Sequence, residues 1–150
     1  MPMHIQDRNI HYKIFGGYIL REAFEIGFLA AYDIGGGYMP HIQFVDDVQF
    51  ISPVEIGAVM KFKATVTCVL KGYAYIIVEC IRIIFDHDNN KKIHQKTNDL
   101  KLIFHVGDKA KDVIPVAYQE VLQFIKGKDQ LIKRIFAPME LQNQQAKINQ

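Results

Sequence analysis

Apolar and polar positions divide the chain into three regimes. Residues 18–32 carry apolar side chains at helical spacing. Ile19, Ala23, Ile26 and Ala30 share one face, and Leu20, Phe24, Phe28 and Ala31 widen it. The charged residues of the stretch are Arg21, Glu22 and Glu25, so this helix is expected to be enclosed by protein. Phe15-Gly16-Gly17 opens it, and Asp33-Ile34-Gly35-Gly36-Gly37 ends it as a C-cap and loop. No Lys-Ser/Thr pair or new helix follows Gly35–Gly37, which argues against a phosphate-binding loop there.

The second regime is extended. His41 to Ile51 is β-branched and aromatic, and Ser52-Pro53 stops it. Val59 to Leu70 alternates, with Phe62, Ala64, Val66, Cys68 and Leu70 on one face and Lys61, Lys63, Thr65 and Thr67 on the other. Lys71-Gly72 is a short turn. Tyr73 to Phe85 is apolar on both faces and reads as a central strand. Asp86 to Lys92 is a polar turn. Ile93 to Val106 then presents Leu100, Leu102, Phe104 and Val106 on one side and Lys101 and His105 on the other. One apolar helix followed by long antiparallel strands is an α+β layout, with a curved sheet around a long central helix.

The third regime is helical again. Pro115 stands at a helix start, Ala117 to Ile125 has helical spacing, Gly127 interrupts, and Leu131 to Phe136 resumes. Ala137-Pro138 is expected to close the element. Met139 to Gln150, rich in Gln, Asn and Lys, reads as frayed or disordered. The division is therefore a domain over 3–113, a C-terminal helical extension over 114–138 and a tail over 139–150.

Composition changes this picture little. The chain has 150 residues, 49% hydrophobic and 23% charged, as one globular domain would. A net charge of +2 argues against a nucleic-acid partner, and no window approaches the ~18 apolar residues of a membrane span. The N-terminus lacks a secretory layout. Cys68 and Cys80 flank the Lys71-Gly72 turn out of register, which predicts two reduced, buried thiols and an intracellular protein. Neither the cysteines nor His41, His87, His94 and His105 have metal-ligand spacing.

The chemistry concentrates in Asp7 to Tyr32. A polar lead, Asp7-Arg8-Asn9-Ile10-His11, runs into the glycine pair and the apolar helix. The glycines permit a tight turn, and a helix starting there points N–H groups at whatever lies in front of it.

These residues resemble a known family. HIQDRNIHYKIFGGYILREAFEIGFLAAY followed by FVDDVQFISPVEIGAVMKFKATVT is similar to the acyl-CoA thioesterases of the hotdog fold, and to the second half of their mitochondrial tandem members. The similarity runs from about Met3 to Val106. It rests on the D-x-N lead, F-G-G, and a V-D-x-x-x-F-x-x-P-V-x-x-G strand pair at matching separation. The resemblance implies hydrolysis of an acyl-CoA thioester to free acid and CoA, with CoA present only as part of substrate and product and no cofactor or metal. It also implies pairing of hotdog domains, as a homodimer, a trimer of dimers or a union with a second half, with sites formed between the paired halves. The compartment it implies is mitochondrial or cytoplasmic. The motif starts near His4, which leaves no room for a leader ahead of it and reads as a domain taken from a longer protein.

Carried over by position, the resemblance implies that Gly16 and Gly17 N–H groups polarise the thioester carbonyl and hold the oxyanion. Asn9 falls on the family Asn that positions the attacking water or the thioester. His11, Tyr12 and Lys13 are placed to touch substrate, and Asp46 matches a recurrent acid that accepts N–H groups of the lead. Lys13, Arg82 and Lys101 are candidates for the CoA phosphates by charge. Two departures matter. Where relatives carry a helix Asp, seven residues past the second glycine, this chain has Phe24, and Glu25 is the nearest acid. One step along a helix turns ~100°, so Glu25 either substitutes or pairs with Arg21. Tyr12 stands where relatives have Gly and narrows the entrance. These departures leave a second possibility, a non-catalytic acyl-CoA-binding or pairing module. A third, an acyl-thioester dehydratase, has Glu22 in place on the helix but Arg8 where its His should be.

Overall fold

The computed structural model describes residues 1–3, 16–46 and 48–148. Helix α1 spans Gly16–Ile34. Strands β1 (His41–Val45), β2 (Gln49–Phe50), β3 (Val59–Leu70), β4 (Tyr73–Asp86) and β5 (Lys91–His105) follow. Then come α2 (Tyr118–Leu131), a π-helical turn (Ile132–Phe136) and α3 (Ala137–Ile148). The sheet order is β1-β5-β4-β3, with β2 also paired to β5. β2 runs antiparallel to β5, with Gln49 opposite Asp99 and Phe50 opposite Asn98. This is the α+β layout expected, with β4 inside the sheet.

The chain folds as two compact units, each drawn from several stretches of sequence. The first comprises Met1–Ala30, Val45–Thr65 and Ile77–Lys101. Ile19, Ala23, Val54, Met60, Val78, Cys80 and Leu100 are buried in it. The N-terminus is tied down by backbone bonds, Met3 N–H to Ala58 O at 3.0 Å and Gly57 N–H to Met3 O at 2.9 Å. The Asp86 carboxylate closes the β4–β5 turn by accepting from the backbone N–H groups of Asp88 and Asn89 and from the Asn89 amide. Those bonds, the Asn89 side chain first, hold it below the usual carboxylate range.

The second unit comprises Ala31–Phe44, Val66–Ile76 and Leu102–Gln150. Its core holds Cys68, Ala74, Tyr75, Ile76, Leu102, Ile103, Phe104, Val106, Leu131 and Ile135. Lys71 (φ 48°) and Gly72 (φ 79°) form the two-residue turn between β3 and β4, the left-handed pair that a tight hairpin requires. Glu120 opens α2 by accepting the Ala117 and Val116 N–H groups at 3.0 and 2.9 Å. Those donors, Ala117 first, hold its carboxyl below the usual range.

Several expectations need correction. The strand expected over His41–Ile51 is broken between Val45 and Gln49, although the Asp46 N–H still reaches Lys101 O at 3.0 Å. Thr67, assigned to the polar face of β3, is 4% exposed because its hydroxyl donates to Tyr75 O at 3.1 Å. Gly127 does not interrupt α2; it is buried there, and a Cβ in its place would sit 2.8 Å from Thr67 Oγ1. Ala137-Pro138 does not end the helical run. Pro138 falls in the first turn of α3, where a missing N–H is tolerated. The π-turn carries the chain in, with the Ala137 N–H bonded to Ile132 O. Residues read as a frayed tail are helical to Ile148. Finally, α1 is not wholly enclosed: Leu29 is 59% and Tyr32 43% exposed. The two cysteines are free and buried, as expected.

Candidate active site

The glycine pair forms the first residues of α1, Gly16 half-buried and Gly17 exposed. The first N–H groups of a helix have no acceptor within it, and the macrodipole adds partial positive charge. No acidic residue stands in this first turn. Gly17 itself carries no side chain and is exposed, so the turn is chemically suited to hold a carbonyl oxygen or an oxyanion. Ile19 and Ala23 fix the helix by burial one and two turns on. Asn9, His11, Tyr12 and Lys13 lie outside the described residues.

Glu25, the acid nearest the expected carboxylate position, is engaged elsewhere. Glu25 is 53% exposed and its Oε1 lies 3.0 Å from Arg21 Nε, on a helix face open to water. This is the i,i+4 pair that the spacing allowed. Glu25 also holds the Arg21 guanidinium above its ordinary value. Phe24, at the position where an Asp is expected, is half-buried. Asp46 is half-buried and contributes its backbone N–H to Lys101 O.

Of the cations singled out for phosphate, Arg82 is engaged, with Nη2 3.3 Å from Glu55 Oε2. The pair borders a shallow cleft of about 290 Å³ between 55–59 and 82–87. Among the described residues no cluster of three His, Cys, Asp or Glu side chains stands ready for a metal ion. Among the described residues no helix is long and apolar enough to cross a membrane. Both thiols are buried: burial pushes Cys68 up, and pushes Cys80 up to about 12 with Asp99 adding to the effect.

The second unit holds a feature that the sequence did not single out. Gly35–Tyr38 and His105–Lys109 line a cleft of about 610 Å³. From sequence, Gly35–Gly37 reads as the C-cap and loop that end α1, with a phosphate-binding role disfavoured. The signal available was the further glycine, Gly107, two residues after a strand ending in His105.

No protein-family model matches the chain. Solved structures share its fold. An acyl-CoA hydrolase from Staphylococcus aureus, solved with butyryl coenzyme A and coenzyme A, superposes with a TM-score of 0.75 at 22% identity, covering 100% of this chain and 92% of that one. A hexameric hotdog fold thioesterase of Campylobacter jejuni gives a TM-score of 0.62 at 21% identity, over 81% and 90%. The chain therefore has the hotdog fold. The sequence is 34% identical over 138 residues to mitochondrial acyl-coenzyme A thioesterase 9 of Bos taurus, covering 92% of this chain and 30% of that protein. Within the hotdog fold, the chain is thus related by sequence to the acyl-CoA thioesterases. It spans about three tenths of the length of the curated relatives it matches.

Proposed function

We propose that this chain is one hotdog half of an acyl-CoA thioesterase, acting on acyl-CoA and water to yield the free acid and CoA. The observation that carries the reading is the sequence relation to thioesterase 9 over 92% of the chain, joined to a helix that opens on Gly16-Gly17. In this reading the Gly16 and Gly17 N–H groups hold the thioester oxygen as negative charge develops on it. Asn9 orients the attacking water, and an amide cannot take its proton. The base comes from a second hotdog half, because Phe24 fills the family's carboxylate position and Glu25 is turned to Arg21 and water. His11, Tyr12 and Lys13 border the substrate, and Asp46 holds the lead. Residues 3–113 are the hotdog domain and 114–138 its helical extension. The assembly is a homodimer, a trimer of dimers or a pairing with a second half, in an intracellular and, by the relative's name, mitochondrial setting.

The test measures free-thiol release from acyl-CoA by this chain alone. It is run beside calorimetry with a non-hydrolysable analogue. The expected result is analogue binding with turnover reduced by about 10²–10⁴, the usual contribution of a general base. Robust turnover abolished by Glu25→Ala would overturn the composite site. A second reading, a binding or pairing module without catalysis, is favoured by Phe24. It predicts binding with no turnover even when a carboxylate-bearing half is supplied.

A further inference from the structure

The cleft of the second unit shares no residue with the site proposed above. Its volume, about 610 Å³, is within the range of small-molecule sites, roughly 300–1,000 Å³. One wall is backbone. At Gly36 (φ 63°) an added Cβ would meet nothing within 4 Å, so main chain borders open space there. The other wall is a braced ring. Gly107 (φ 83°) lies against Tyr38 so closely that a Cβ would come to 2.9 Å from its Cγ. His105 meets Tyr38 edge-on, with centroids 5.6 Å apart and planes at 78°, and its Nδ1 is 3.4 Å from the Tyr38 Oη. Tyr73 holds the His105 ring from another side at 5.0 Å. Tyr38 is nevertheless 42% exposed. The result is an aromatic ring fixed on one side and open on another.

Charge supplies the second half of the argument. Lys109 lines the cleft and has no ion-pair partner among the described residues. The negative end of α1 is covered: the carbonyls of Ala31, Tyr32, Asp33 and Ile34 accept from Gly35, Gly37, Gly36 and Lys111. Asp108, the one acid in the lining, has its Oδ1 3.1 Å from the place of a Cβ on Gly72. An exposed, braced aromatic face beside an unpaired ammonium fits a flat ring carrying an anionic group.

We propose that this cleft is a second ligand site, taking a planar aromatic anion with its ring on Tyr38 and its acid group on Lys109. A mononucleotide and an aryl carboxylate share that chemistry. The experiment titrates the full chain with adenosine monophosphate and, separately, with benzoate, followed by amide NMR. The expected result is saturable binding of at least one probe, with the largest shifts at Gly35, Gly36, Gly37 and Gly107. Lys109→Glu, an exposed position that leaves the fold intact, is expected to weaken binding by at least 10-fold, and Tyr38→Phe to preserve it. The probe that binds names the source. Failure of both probes to saturate, shifts centred elsewhere, or full affinity in Lys109→Glu overturns the proposal.

Discussion

Replacing Gly127 by Ala sets helix propensity against packing. In an exposed helix the change would stabilise by about 1 kcal/mol. Here the new methyl would stand 2.8 Å from Thr67 Oγ1, 3.0 Å from Cys68 Cβ and 3.2 Å from Tyr75 Cδ1. All three neighbours stand on strands, and the closest, the Thr67 hydroxyl, is held by its bond to Tyr75 O. Overpacking of this kind costs about 1–3 kcal/mol. Displacing Thr67 also strains its bond to Tyr75 O, worth about 1 kcal/mol. The net expectation is destabilisation by about 2 kcal/mol, or a fall in Tm of roughly 4–8 °C for a chain of this size. Urea unfolding followed by circular dichroism measures it. In a Thr67→Ala background the closest contact is gone, and the penalty for adding the methyl should fall by at least half. A Gly127→Ala protein as stable as the parent would refute the packing argument.

Two further outcomes follow from charge and burial. Glu120 is ionised in its cap, so its contribution is present above the ordinary glutamate value of 4.5 and is lost as pH falls through its lowered value. The Val116 and Ala117 amide resonances should move upfield together in an acid titration, and Glu120→Gln should abolish the transition; pH-independent shifts would contradict the cap. Cys80, its thiol pushed up to about 12, should resist iodoacetamide at pH 8 in the folded protein and react on unfolding. Because the fold keeps that thiol protonated, stability should decline as pH rises past the ordinary value of 9.0. Alkylation of folded protein at a free-thiol rate would refute the burial.

The long strands were legible because their periodicity and turn residues agree. Val59–Leu70 was bounded correctly, with the Lys71-Gly72 turn at its end. α1 was legible from its apolar face and the glycines at both ends. What failed was reading single residues without their neighbours. Gly127 looked like a break because propensity favours any other residue in a helix, yet its missing side chain is what lets α2 meet Thr67. Pro138 looked like a stop because the π-turn ahead of it has no sequence signature. Thr67 looked like a surface residue because alternation cannot see a hydroxyl satisfied by a backbone carbonyl. At the candidate site, the spacing allowed both outcomes for Glu25, and only coordinates chose the pair with Arg21. The Tyr38–Gly107 contact joins residues 69 positions apart and had no local trace.

The connectivity of the sheet also sets a schedule. β3, β4 and β5 are joined by a turn of two residues and then by one of four, at 87–90. β2 instead meets β5 through a partnership between Phe50 and Asn98, 48 positions apart. Closing that loop costs about 2 kcal/mol more chain entropy than closing a four-residue turn. The three-strand meander is therefore expected to assemble early, and the segment around β2 to close late and open first. Its amides should exchange with solvent ahead of those along β4, making that flank the point at which the folded chain is most readily breached by heat or protease.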